Sequence, residues 1–168
     1  MVGGNCTCEI IRFYELEVFE MQDSDQNSQL KGVQSCPKQC TLLYVEDNPA
    51  NVALVAQLIA RRGELKFLTA IDGDLGLLLA RTCQPAIILM DICLPGKNGY
   101  EVLKLLQADP ATNFIPVVAL SSNAYAHDIA KGIAAGFFRY LTKPYHINEL
   151  MDALNAALAF ACARHCVD

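Results

Sequence analysis

The 168-residue sequence predicts an α/β fold around one parallel sheet, on three observations. From Thr41 onward, short apolar runs alternate with stretches of helical periodicity, the pattern of βα units in series. Hydrophobic residues make up 53% of the chain, enough for central strands covered on both faces. The third observation is where certain charges stand. Glu46-Asp47, Asp91 and Lys143-Pro144 each come just past an apolar run, and in an open parallel sheet such ends line one crevice.

Each element has a local cause. Thr41-Leu42-Leu43-Tyr44-Val45 predicts a strand over 41–46. Asn48 is a good N-cap and Pro49 suits a first helical turn, so a helix is expected over 49–62 with Gly63 as its stop. A strand over 64–68 and a helix over 72–82 follow. Ala86-Ile87-Ile88-Leu89-Met90 is a buried strand over 86–90, and Asp91 closes it just before the Pro95-Gly96 loop. A carboxylate there is aimed at solvent from the edge of a core. Asn98-Gly99 suits the turn into a helix over 99–108, which Asp109-Pro110 ends because the residue before proline leaves the α region. Strands over 116–120 and 138–141 and helices over 125–135 and 146–163 complete five units. The last helix carries Leu150, Ala153, Leu154, Ala157, Leu158 and Ala161 on one stripe facing the core. Right-handed crossovers then imply a single sheet.

Residues 1–39 read as an N-terminal extension and linker, either native to the chain or the last strand and linker of a larger protein, which composition does not separate. Cys8 to Val18 is β-branched and aromatic, and Met21 to Gln39 has a polar linker composition that permits partial disorder. The organisation is thus 1–39 extension and linker, 40–163 folded domain and 164–168 tail. A net charge of −5 with scattered Lys and Arg leaves no electrostatic footprint for nucleic acid. No apolar run approaches 18 residues, so no membrane insertion is expected. The acidic first twenty residues do not resemble a signal peptide. A cytoplasmic protein with its eight cysteines mostly as thiols is the expectation. Cys36 and Cys40 with Cys162, His165 and Cys166 form one conceivable zinc set, against which stands the plainer reading of scattered thiols.

Four stretches in order, each at a strand end, carry a family resemblance. They are Leu42-Leu43-Tyr44-Val45-Glu46-Asp47-Asn48, Leu89-Met90-Asp91-Ile92-Cys93-Leu94-Pro95-Gly96, Pro116-Val117-Val118-Ala119-Leu120-Ser121-Ser122-Asn123-Ala124 and Tyr140-Leu141-Thr142-Lys143-Pro144. Together they resemble the receiver domain of two-component response regulators over about Thr41 to Leu158. Ala135 to Pro144 is most similar to the C-terminal receivers of hybrid histidine kinases, so the larger protein to which 1–39 could belong would be a hybrid kinase. The resemblance implies a flavodoxin-like (βα)5 doubly wound sheet of strand order 2-1-3-4-5, an order that receivers illustrate.

It also implies a chemistry. Asp91 would be the phosphoacceptor, taking a phosphoryl group from a phosphohistidine on a histidine kinase or histidine phosphotransfer protein. Glu46, Asp47 and Asp91, with the backbone carbonyl of Cys93, would hold Mg²⁺, and Lys143 would supply a fixed positive charge. Ser121 and Tyr140 would form the switch: the hydroxyl swings toward the phosphoryl group and Tyr140 turns from exposed to buried. The output would be a changed protein-binding face on helix four, strand five and helix five, a face through which receivers commonly pair, so a homodimer is a candidate. With no output domain expected after residue 168, the chain would be a phosphoacceptor, not an enzyme, able to take phosphate from small donors and to lose it unaided. His127-Asp128 lacks the continuation of a kinase phosphodonor box. Departures from the family pattern are Lys97-Asn98-Gly99, Cys93 two residues after Asp91, and Asn123 two after Ser121, positions that bear on phosphoryl lifetime. The rivals are a degenerate receiver used for docking, an aspartyl-phosphate hydrolase, whose Asp-x-Asp pattern Asp47-Asn48-Pro49 does not match, and a flavodoxin, whose phosphate the acidic first loop would repel.

Overall fold

A computed structural model describes residues 40–63 and 65–165. Five strands alternate with five helices: β1 (Cys40–Val45), α1 (Pro49–Ala60), β2 (Leu65–Ala70), α2 (Gly73–Cys83), β3 (Ile87–Asp91), α3 (Gly99–Ala108), β4 (Val117–Ser121), α4 (Ala126–Ala135), β5 (Arg139–Thr142) and α5 (Ile147–His165). All pairings are parallel and the order is β2-β1-β3-β4-β5, the doubly wound arrangement expected.

Each face of the sheet buries its own cluster, because alternate side chains of a strand point to opposite faces. Leu43, Val45, Ile88, Met90 and Ala119 pack beneath α2 and α3 with Val102, Leu103 and Leu106. Leu42, Tyr44, Ile87, Leu89, Val118 and Leu120 pack beneath α1 and α5 with Val55, Ile59, Leu150 and Leu154. Of the stripe expected on the last helix, Leu150, Ala153, Leu154, Ala157 and Ala161 are buried and Leu158 is partly so.

The ends of the helices follow local chemistry. Asn48 Oδ1 accepts from Ala50 N–H at 2.9 Å, so this side chain caps α1. That helix stops at Ala60, short of the expected 62, with Arg61 as its C-cap, so Gly63 is not its terminator. Asp72 caps α2 through Leu75 N–H. Asn98 and Glu101 form a reciprocal capping box at the start of α3, and Asp109, in extended conformation, ends it. The last helix continues to His165, two residues beyond the expected end.

Register brings the charged residues level. Val45 pairs with Met90, so Glu46 and Asp91 are the next residues on adjacent strands. Asp91 pairs with Leu120, and Ser121 with Thr142, which sets Lys143 just past the same edge. Among the described residues no helix is long and apolar enough to cross a membrane.

Candidate functional site

Three carboxylates converge where β1 and β3 end. Glu46, Asp47 and Asp91 each offer an oxygen within 4.8 Å of the others, with Glu46 and Asp91 buried and Asp47 exposed. Like charges at that spacing repel by about 3 kcal/mol per pair at an effective dielectric near 20. One cation answers them. Lys143 Nζ donates to Glu46 Oε2 at 2.9 Å and stands 3.2 Å from Asp91 Oδ1. The second contact is an ion pair by distance without the alignment of a hydrogen bond, and Asp91 Oδ1 is left buried with no donor.

That inequality sets the charge states. For Glu46, burial works to raise the pKa, but hydrogen bonds from Lys143, Tyr44 and Asn51 outweigh it and hold the carboxyl below its ordinary value. For Asp91, burial dominates and neighbouring Glu46 adds to it, so its carboxyl is raised despite attraction to Lys143 and a hydrogen bond from Cys93 N–H. Burial opposes the Lys143 ammonium, yet Glu46 and Asp91 lift its pKa above the ordinary lysine value.

The donor set suits a small hard cation. It consists of carboxylate oxygens, one of them exposed on Asp47, and it contains the orphaned Asp91 Oδ1. An oxygen-only acidic cluster of this kind matches what Mg²⁺ prefers. The Cys93 thiol is exposed beside the cluster.

Ser121, the last residue of β4, is buried; its Oγ accepts from Asn123 N–H at 3.0 Å and its carbonyl accepts from Lys143 N–H at 2.6 Å. The Lys143–Pro144 peptide is cis. Tyr140 does not stand out in solvent as the start of an exposed-to-buried swing would have it. Its ring is already half-buried, edge-on to Phe137 at 6.3 Å and laid against Gly132 of α4, where a methyl group would overlap it. Burial and a hydrogen bond with Tyr140 push Tyr100 up to about 12.

Tyr44 is the site residue that the sequence reading left as an ordinary strand residue. It is fully buried, and its hydroxyl donates to Glu46 Oε2 at 2.7 Å. The signal was present: a phenol two residues before a carboxylate on a strand lies on the same face. Of the conceivable zinc set, Cys40 and Cys162 are half-buried, while Cys36, Cys166 and the His165 side chain lie outside the described residues, as does everything expected of 1–39. His127 is exposed, pairing with Asp128 and stacking on Tyr125.

Known proteins share this arrangement. The family described as "Response regulator receiver domain" matches residues 42–155. Protein PilH of Pseudomonas aeruginosa is 34% identical over 118 residues, covering 70% of this chain and 97% of PilH. Response regulator PleD of Caulobacter vibrioides is 39% identical over 111 residues, which are 66% of this chain but only 24% of PleD. Among solved structures, the receiver domain of sensor histidine kinase PA1611 from Pseudomonas aeruginosa, with magnesium coordinated in its active-site cleft, is similar with a TM-score of 0.65. It is 29% identical, and the match covers 71% of this chain and 98% of that one.

Proposed function

The chain belongs to the response regulator receiver domain family, and from that premise we propose that Asp91 is its Mg²⁺-dependent phosphoacceptor. The observation that carries the reading is the pairing of a buried Asp91 with two further carboxylates within 4.8 Å and with the Lys143 ammonium 3.2 Å from Oδ1. An Asp91 oxygen attacks the phosphorus of a phosphohistidine on a histidine kinase or histidine phosphotransfer protein. The O–P bond forms as the P–N bond breaks, and the imidazole leaves with the bonding pair. The transition state needs positioning and neutralisation more than covalent help. A Mg²⁺ ion held by Glu46, Asp47, Asp91 and the Cys93 carbonyl would supply the neutralisation.

The remaining steps belong to the chain's own groups. Lys143 turns from Glu46 toward the new phosphoryl oxygens. Ser121 exchanges its Asn123 contact for a bond donated to the same group, and Tyr140 sinks further beside Gly132. The altered surface is α4, β5 and α5, where Tyr125, Ile133 and Ile147 are exposed, and either a downstream protein or a second copy of the chain would read it. The likeness to a sensor histidine kinase receiver supports membership of the hybrid-kinase type, and the net charge of −5 with scattered Lys and Arg supports a cytoplasmic partner other than nucleic acid. The chain transfers signal and does not turn over a substrate.

Acetyl phosphate with Mg²⁺ tests this directly. Intact-mass spectrometry should show one added phosphoryl group, absent without the cation and absent in Asp91→Asn. An unchanged mass for the native chain would end the phosphoacceptor reading.

A further inference from the structure

We propose that Tyr44 is a positioning residue: its buried phenol pins Glu46 through Oε2, leaving Oε1 as the oxygen presented to a divalent cation. The inference rests on the reading of Glu46 as a cation ligand. Leu42, Tyr44 and Glu46 share one face of β1 by the strand's period of two. The Tyr44 ring is fully buried in the cluster beneath α1 and α5, tilted against Phe67 at 6.4 Å, so its hydroxyl reaches the strand end from inside the core. It donates to Oε2 at 2.7 Å, and Lys143 donates to that same oxygen at 2.9 Å. Oε1 has a long contact from Asn48 N–H at 3.3 Å. Asn51 adds a further hydrogen bond to the carboxylate, but the two shortest side-chain donors converge on Oε2, an asymmetry that an untethered carboxylate would lack.

The arrangement matters most when Lys143 is needed elsewhere. This lysine divides itself between Glu46 and Asp91. Once it serves a phosphoryl group, Glu46 loses one donor and Tyr44 supplies the one that stays. A phenol is a hydrogen-bond donor at neutral pH, and this one is held at 2.7 Å from Oε2 independently of Lys143. Glutamate, a methylene longer than aspartate, has one more torsion for such a contact to fix. A phenylalanine at 44 would fill the same space without the tether.

Calorimetric titration of the full chain with Mg²⁺ tests the proposal. Tyr44→Phe should fold normally and bind Mg²⁺ about 10- to 150-fold more weakly, the range of a lost hydrogen bond to a charged group. In a Lys143→Met background the same substitution should cost more, because both short donors to Oε2 are then gone. Binding by Tyr44→Phe within about twofold of the native chain, or an equal fold-loss in both backgrounds, would overturn the proposal. If Tyr44→Phe fails to fold, 3-fluorotyrosine at position 44 of the native sequence reports instead. Its ¹⁹F resonance should shift at Mg²⁺ saturation, and a resonance that does not move would overturn the idea. Failure of the native chain to bind Mg²⁺ is distinguishable from these outcomes, since it removes the parent reading and this one together.

Discussion

At the N-terminal edge of the sheet, polar groups close on one another. Thr112 is buried and donates to the Leu106 carbonyl at 2.8 Å, Gln84 reaches the Ala111 carbonyl, Gln107 the Ala135 carbonyl, and Arg81 pairs with Asp109. At the C-terminal edge the polar groups compete. Glu46 and Asp91 share one lysine beside the exposed Asp47, and Asp91 Oδ1 has no hydrogen-bond donor. Buried polar groups are normally satisfied, so the deficit marks where a ligand completes the structure. One edge spends its polarity on stability and the other holds it in reserve.

Thr112→Val tests that division with the largest expected effect. It keeps the shape and removes the donor to a buried carbonyl, which should cost about 1–3 kcal/mol in urea denaturation. Phosphoacceptance at Asp91 should survive unchanged in the mass assay. Loss of the adduct with full stability would erase the contrast between the edges. Asp91→Asn should act with the opposite sign. The native state resists the Asp91 charge, so a neutral isostere in cation-free buffer should add about 1–2 kcal/mol of stability while abolishing the adduct. Mg²⁺ should narrow that gap. At tenfold over its dissociation constant it should stabilise the native chain by about 1.4 kcal/mol and leave Asp91→Asn nearly unmoved. Thermal melts with and without the ion read both outcomes.

The contrast also explains what was legible beforehand. Periodicity fixes which residues form strands, and turn chemistry marks their ends, so the whole sheet and the convergence of Glu46, Asp47, Asp91 and Lys143 could be anticipated. Ser121 at the end of β4 was legible for the same reason. The link from Lys143 to Glu46 was not, because it spans 97 positions and depends on how one flexible chain divides between two acids. Tyr44 was missed because an aromatic in an apolar strand looks complete without its hydroxyl. The half-buried pose of Tyr140 hangs on the absent side chain of Gly132, on another element. The end of α1 is set at its C-cap Arg61, where Arg62 N–H closes a tight turn on the Ile59 carbonyl at 2.8 Å, so a nearby glycine misled.

The smallest effect is a slope with pH in buffer stripped of divalent cations, and it separates the two buried carboxylates from each other. Asp91 is raised in the folded state, so between its unfolded value of about 3.9 and its folded value the native chain binds more protons. Stability therefore gains from Asp91 as pH falls through its folded value, and the advantage of Asp91→Asn should shrink over that interval. Glu46 is lowered, which reverses the sign. Its contribution is present above an unfolded value of about 4.3 and is lost as pH falls through the folded one. The deficit of Glu46→Gln should therefore hold down to about pH 4.3 and close below it, later in the acid titration than the Asp91 gap begins to shrink. Each change should be about 1 kcal/mol, the scale of one hydrogen bond. Urea midpoints at pH steps from about 7 to about 3 resolve the two differences, because subtracting each variant from the native profile cancels the other carboxylates. If both gaps close together, the two acids share the lysine evenly, and the unequal hold that leaves Asp91 in reserve is absent in solution.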